Sequence, residues 1–195
     1  MNDTVQQVIP VLRENRRKFE EFCYSLSEEE LARPVPNSSW IVKDFASHLC
    51  ALDLLFADYI DSVRAGGQVD MRQTAEGGSF NLDTWNDAQV ADRRERSLAD
   101  IFAEAETNRE RLVASLGLLS DDDVNRTMHF SDPKRGEADF PLKAFLVGWA
   151  QHDPIHAADM LKALPERADD AELTSWLTNP FVTGYQKSMN SAPHA

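Results

Sequence analysis

Apolar residues recur every three to four positions along most of this chain, the period that gives an α-helix one dry and one wet face. The pattern predicts a first helix over 3–26, with Val8, Leu12, Phe19, Phe22 and Leu26 on its dry face. Arg13, Glu14, Arg16, Arg17 and Lys18 supply the wet one. Ser27-Glu28-Glu29-Glu30 has capping-box spacing and predicts a short helical turn. Pro34 and Pro36 then mark a loop, and Ser38 or Ser39 is placed to cap a second long helix over 40–64, closed by Gly66-Gly67. Residues 66–80 read as a long polar loop with Gly77-Gly78-Ser79 near its end, and 81–94 as a shorter helix. A third long helix, 98–117, has Ser97 as its cap.

Ser120-Asp121-Asp122-Asp123 begins another short turn, a capping and solvation feature rather than a calcium loop. The stretch 127–137 is turn-rich, with room for a brief extended piece. Asp139-Phe140-Pro141 opens a fourth long helix that runs to about 164, where Pro165 stops it. A last helix near 170–178 meets Asn179-Pro180, and the tail beyond Lys187 is expected to fray. Four long amphipathic helices imply an all-α protein, an up-down four-helix bundle with a long loop after the second helix and a short C-terminal helical appendage. A chain of 195 residues fills one core, so a single domain is expected over 1–195, with its core at about 1–165 and the appendage at about 166–195.

Charge narrows the partners. With 33 acidic against 20 basic residues the formal charge is -13, which repels phosphate backbones and anionic lipid. Nucleic-acid and membrane roles are disfavoured, and a small-molecule substrate is favoured. No apolar run approaches the roughly 20 residues that cross a bilayer. The first residues lack the basic and apolar regions of a secretory signal, so a cytoplasmic location is expected. Cys23 and Cys50 fall in apolar helical segments and read as buried thiols. Cys50 lies about 200° around the helix from His48, away from that residue's face.

Candidate chemistry rests on three histidines. His152 and His156 are four residues apart, so a helix sets both imidazoles on one face, and His48 lies on the second helix. Three neutral imidazoles suit zinc first, with nickel or iron(II) as alternatives, and leave a coordination position for water or substrate. Asp44 lies one turn before His48, where it can orient a ligand or simply favour the helix dipole. Asp153 is read as facing solvent. Trp40 is read as core, His129 as solvated in a polar loop, and His194 as part of the tail. Pro154, inside the histidine pair, withholds a hydrogen bond from the carbonyl of Ala150 and should kink the helix.

Two motifs, Trp40-x-x-x-Asp44-x-x-x-His48-Leu49 and His152-Asp153-x-x-His156, occur in this order about 100 residues apart. Over about 1–165 the chain resembles the DinB-like (YfiT-like) four-helix-bundle superfamily. The resemblance implies a divalent metal held by His48, His152 and His156, and homodimerisation through bundle faces. It further implies a transferase that uses a small thiol such as mycothiol or bacillithiol. Members of the mycothiol-dependent maleylpyruvate isomerase type tend to place a glutamate where this chain has His152, which points away from the isomerase reaction itself. A metal-dependent hydrolase with the same ligands, and a non-catalytic metal-stabilised stress-response or binding bundle, stay open beside the transferase.

Overall fold

The structure is a computed structural model that describes residues 2–66, 81–132 and 136–191. Helix α1 (Asp3–Tyr24) starts where the Asn2 side chain accepts the Thr4 amide. In α2 (Glu28–Leu31) both arms of the Ser27/Glu30 capping box are formed. Helix α3 (Asp44–Arg64) begins four residues later than the apolar pattern predicts. Ile41 instead pairs with Pro34 in an isolated antiparallel bridge, and its amide donates to Asp44 Oδ2 at 3.1 Å. That extended stretch satisfies its backbone across the proline loop, so the helix opens only at Asp44.

Helix α4 (Leu82–Arg93) is capped by Asn81 and α5 (Leu98–Gly117) by Ser97. The short α6 (Asp121–Asn125) carries a second capping box, between Ser120 and Asp123. Strands β1 (Thr127–Asp132) and β2 (Gly136–Pro141) follow as an antiparallel pair, Thr127 opposite Pro141. Asp139 is therefore not a helix cap: it sits across from His129, whose Nδ1 is 2.8 Å from its carboxylate. His129 likewise belongs to a strand and not to a loop. Two strands of six residues give too short an alternation to stand out beside a proline that also signals a helix start.

The expected fourth helix is two, α7 (Leu142–Trp149) and α8 (His152–Met160), followed by 3-10 turns at Leu161–Ala163 and Pro165–Arg167. Helices α9 (Ala171–Leu177) and α10 (Pro180–Ser191) are the last elements among the described residues, so Pro180 starts a helix whose turns continue past Lys187. The expectations for 67–80 and for His194 lie outside the described residues. No helix among those described is long and apolar enough to cross a membrane.

Helices α1, α3, α5 and α7–α8 form a four-helix bundle. Phe19 and Tyr24, late in α1, meet Phe102, early in α5, with ring centroids 6.3 and 5.3 Å apart. The Leu12 carbonyl accepts from Arg109, further along α5, so these two helices are antiparallel. Asn108 donates to the Cys50 carbonyl and Arg109 to Asp53, each at a similar depth from the two helix starts, so α3 and α5 run the same way. The long connection after the second helix, which includes α4 packed on α3, makes that crossing. Among the described residues the core splits into two apolar clusters, one around Phe19, Phe45, Phe102 and Met160, the other around Leu12, Phe56, Leu112 and Leu146.

Candidate metal centre

His48 lies one turn into α3 and is buried, and His152 and His156 occupy successive turns of α8. The bundle brings them together across more than a hundred residues of chain. His48 Nε2 and His156 Nε2 are 3.2 Å apart, and one ligand atom from each of the three residues lies within 4.8 Å of the others. Zinc–nitrogen bonds of about 2.0–2.1 Å in a tetrahedral set place two donor atoms about 3.3 Å apart, so the first spacing fits a shared ion. Two imidazole nitrogens that face each other cannot both carry a proton, which leaves at least one lone pair turned inward.

Burial pushes His48 well below the ordinary histidine range, and His156 and His152 push it further, against an opposing effect of Asn86. The ring is neutral at pH 7, the form that ligates. Aromatic side chains wall the set: Trp40 stands 4.9 Å from His48, Phe45 5.4 Å from His156 and Trp149 4.7 Å from His152, centroid to centroid. Trp40 precedes the helix, yet its ring packs on His48, and its Nε1 donates to Asp87 of α4 at 2.9 Å. On the far side of His156, Nδ1 is 3.3 Å from Asp159 Oδ2. Burial opposes ionisation of Asp159, but His156, Lys162 and Gln186 outweigh it and hold the carboxyl well below its usual range.

Asp44 does other work among its described bonds. Its carboxylate takes the Ile41 amide and the guanidinium of Arg94 at 2.8 Å, so it fastens the start of α3 to the end of α4. Asp153 departs from the sequence reading altogether. It is buried, with Arg16 Nε at 3.0 Å from one of its oxygens and Arg109 Nη2 at 3.4 Å from the same one. Asp53 closes the square, 3.1 Å from Arg16 and 2.8 Å from Arg109. Burial works against the Asp153 charge, yet the two arginines hold its carboxyl below the ordinary value. This neutral layer of two cations and two anions adjoins the start of α8, where His152 stands.

The kink also has its own support. Pro154 has no N–H for the carbonyl of Ala150, and the helix is interrupted between Trp149 and His152. Asn15 Nδ2 donates to that carbonyl at 2.6 Å, and Asn15 Oδ1 accepts Trp176 Nε1 at 2.9 Å. The sequence pattern puts Arg16 on the wet face of the first helix, but the structure buries it; Asn15, Asp53, Asn86, Arg109 and Asp159 were not singled out in the sequence at all. For Arg16, Asp53 and Arg109 a signal existed: each falls at core spacing, between Leu12 and Phe19, Leu49 and Phe56, and Ala105 and Leu112. The cysteines are buried and free, with Asn108 Nδ2 3.7 Å from Cys50 Sγ.

Residues 12–160 match the family described as the mycothiol maleylpyruvate isomerase N-terminal domain. Among solved structures, a mycothiol-dependent maleylpyruvate isomerase is similar at 13% identity and TM-score 0.59, over 82% of this chain and 63% of that one. This chain thus spans less than two thirds of the isomerase. YfiT from Bacillus subtilis, described as a probable metal-dependent hydrolase with an unusual four-helix bundle topology, is similar at 14% identity and TM-score 0.59, over 86% and 88% of the two chains. Both likenesses concern the fold. No curated protein sequence matches.

Proposed function

The chain belongs to the mycothiol maleylpyruvate isomerase N-terminal domain family, among the DinB-like bundles, and on that premise we propose that it is a divalent-metal-dependent transferase acting with a low-molecular-weight thiol. His48, His152 and His156 are the proposed ligands, zinc the first candidate ion, and a small electrophile the second substrate. The observation that carries this reading is the convergence of three imidazoles from two helices on one point, inside an aromatic wall. A divalent ion held there supplies the charge that lets a thiol or water lose its proton near neutral pH.

The chain's own residues prepare the site in three ways. Burial keeps His48 neutral, so its lone pair is available without first shedding a proton. Asp159 Oδ2 stands 3.3 Å from Nδ1 of His156, on the side of the ring from which carboxylates orient ligating histidines in metal sites. Trp40, Phe45 and Trp149 each pack a ring against one of the histidines, and apolar surface beside a charge strengthens its electrostatic interactions. A hydrolase with the same ligands is the second reading, favoured by the likeness to YfiT over most of both chains.

Elemental analysis of protein purified without a tag or added metal, beside the His48→Ala variant, tests the centre. About one ion per chain in the wild type and none in the variant supports it. No ion in either, even after anaerobic reconstitution, removes the enzyme reading and leaves a binding bundle. Turnover of electrophiles that requires added thiol then separates transferase from hydrolase.

A further inference from the structure

The family match ends at residue 160, yet α9 and α10 pack against α8. Three anchors seat them, and together the anchors straddle the kink. On the α7 side, Phe181 packs against Gly148, where a Cβ would stand 3.1 Å from its Cζ and push the ring back by a few tenths of an ångström. At the kink, Trp176 donates to Asn15 Oδ1 and Asn15 donates to the Ala150 carbonyl. Indole is donor only, so Trp176 fixes which way the Asn15 amide faces and turns its NH2 toward the freed carbonyl. On the α8 side, Gln186 donates to Asp159 at 3.1 Å, and the same carboxylate meets His156. A proline kink without such partners leaves a buried acceptor unsatisfied and a bend angle loosely determined.

We propose that α9–α10 act as a strut that sets the bend between α7 and α8 and so places His152 and His156 against His48, with Asn15, Trp176 and Gln186 as its positioning residues. The inference rests on the reading of these histidines as metal ligands. It assigns the C-terminal segment a role in the centre through two hydrogen-bonded chains, one ending on the Ala150 carbonyl at the kink and one on Asp159 of the ligand-bearing helix, and none of the three positioning residues is one of the histidines.

The test uses the full chain carrying Trp176→Phe and Gln186→Leu, which delete the two hydrogen bonds and keep most of the packing. Zinc affinity is measured by competition with a chromogenic chelator, the cobalt(II) absorption spectrum reports ligand geometry, and the melting of the metal-free protein is followed alongside. The strut predicts wild-type helical content, a shifted cobalt band and zinc affinity about 10-fold weaker, the low end for partners that orient ligands. The control Arg17→Ala, on the exposed side of α1, moves neither readout. An unchanged cobalt spectrum with unchanged affinity overturns the strut, even if the melting point drops. Should the double variant fail to fold, Gln186→Leu alone is judged by the same two criteria. A wild type that takes up neither ion overturns the metal reading and the strut with it, whereas a binding wild type beside unchanged variants overturns the strut only.

Discussion

Replacing Asp153 by Asn changes one atom's chemistry in the middle of the bundle and leaves the shape. In the native layer Arg16 and Arg109 each meet both Asp53 and Asp153, at 2.8 to 3.4 Å, with all four side chains at most 4% exposed. The substitution leaves two guanidinium groups facing one carboxylate, with no solvent to take up the difference. Removing one partner from a buried ion pair costs about 3–5 kcal/mol, against about 0–1 kcal/mol for an exposed pair. Arg13–Glu110, both near half exposed, is the matched surface case. At about 2–4 °C per kcal/mol for a chain of this size, Asp153→Asn should lower the melting point by roughly 6–20 °C. The assay is thermal and urea denaturation followed by far-ultraviolet circular dichroism, in chelator so that metal does not contribute, with Glu110→Gln as control. A second variant, Asp153→Leu with Arg16→Met, removes one charge of each sign and should recover much of the loss. If Asp153→Asn costs no more than Glu110→Gln, the layer is not a desolvated ion network and the reasoning fails.

Asn15→Leu strands the Ala150 carbonyl and the Trp176 indole N–H, each worth about 1–3 kcal/mol when left unsatisfied. Adding Pro154→Ala restores an N–H facing that carbonyl and should return part of the stability; chemical denaturation of the single and double variants that showed no recovery would count against the kink account. Arg167, and then the Ser27 amide, hold the Glu30 carboxyl down to about 2. A depressed carboxyl contributes stability above its unfolded value and loses it as pH falls, so the gap between wild type and Glu30→Gln should close between about pH 4.5 and 2 in pH-resolved melts. Burial pushes the Cys50 thiol up to about 11 and Cys23 higher, so a disulfide reagent at mild alkaline pH should label neither until the chain unfolds. Rapid labelling of the native protein would show that these thiols are exposed or activated.

Most helices are legible in the chain because their determinants lie within four residues of one another. Ser27, Ser97 and Ser120 cap where their spacing says they should, and the dry faces of α1, α3 and α5 follow their apolar period. The errors fall where a distant partner outweighs a local signal. Ile41 and Asp139 sit in helix-like sequence but pair across to Pro34 and His129. The same division holds at the site. Spacing alone places His152 and His156 on one face, and Asp159, three residues after His156 on the same helix, is likewise within reach by spacing, whereas Trp40 and Phe45 come to His48 and His156 only through packing. Asp44, equally well spaced from His48, is taken by Arg94.

By itself, then, the sequence determined a mostly helical chain, the approximate extents of α1, α4, α5 and α9 and the caps at Ser27, Ser97 and Ser120, and the presence of three imidazoles on two helices. Tertiary structure alone decided that α3 and α5 run in parallel, that Arg16, Asp53, Arg109 and Asp153 neutralise one another in the core, and that Asn15 supplies the bond Pro154 withholds. The physical reason is range. Periodicity and capping act within a turn or two of helix, but a buried charge or carbonyl is satisfied by whichever chain segment packing brings alongside it, and here that segment lies as much as 137 residues away.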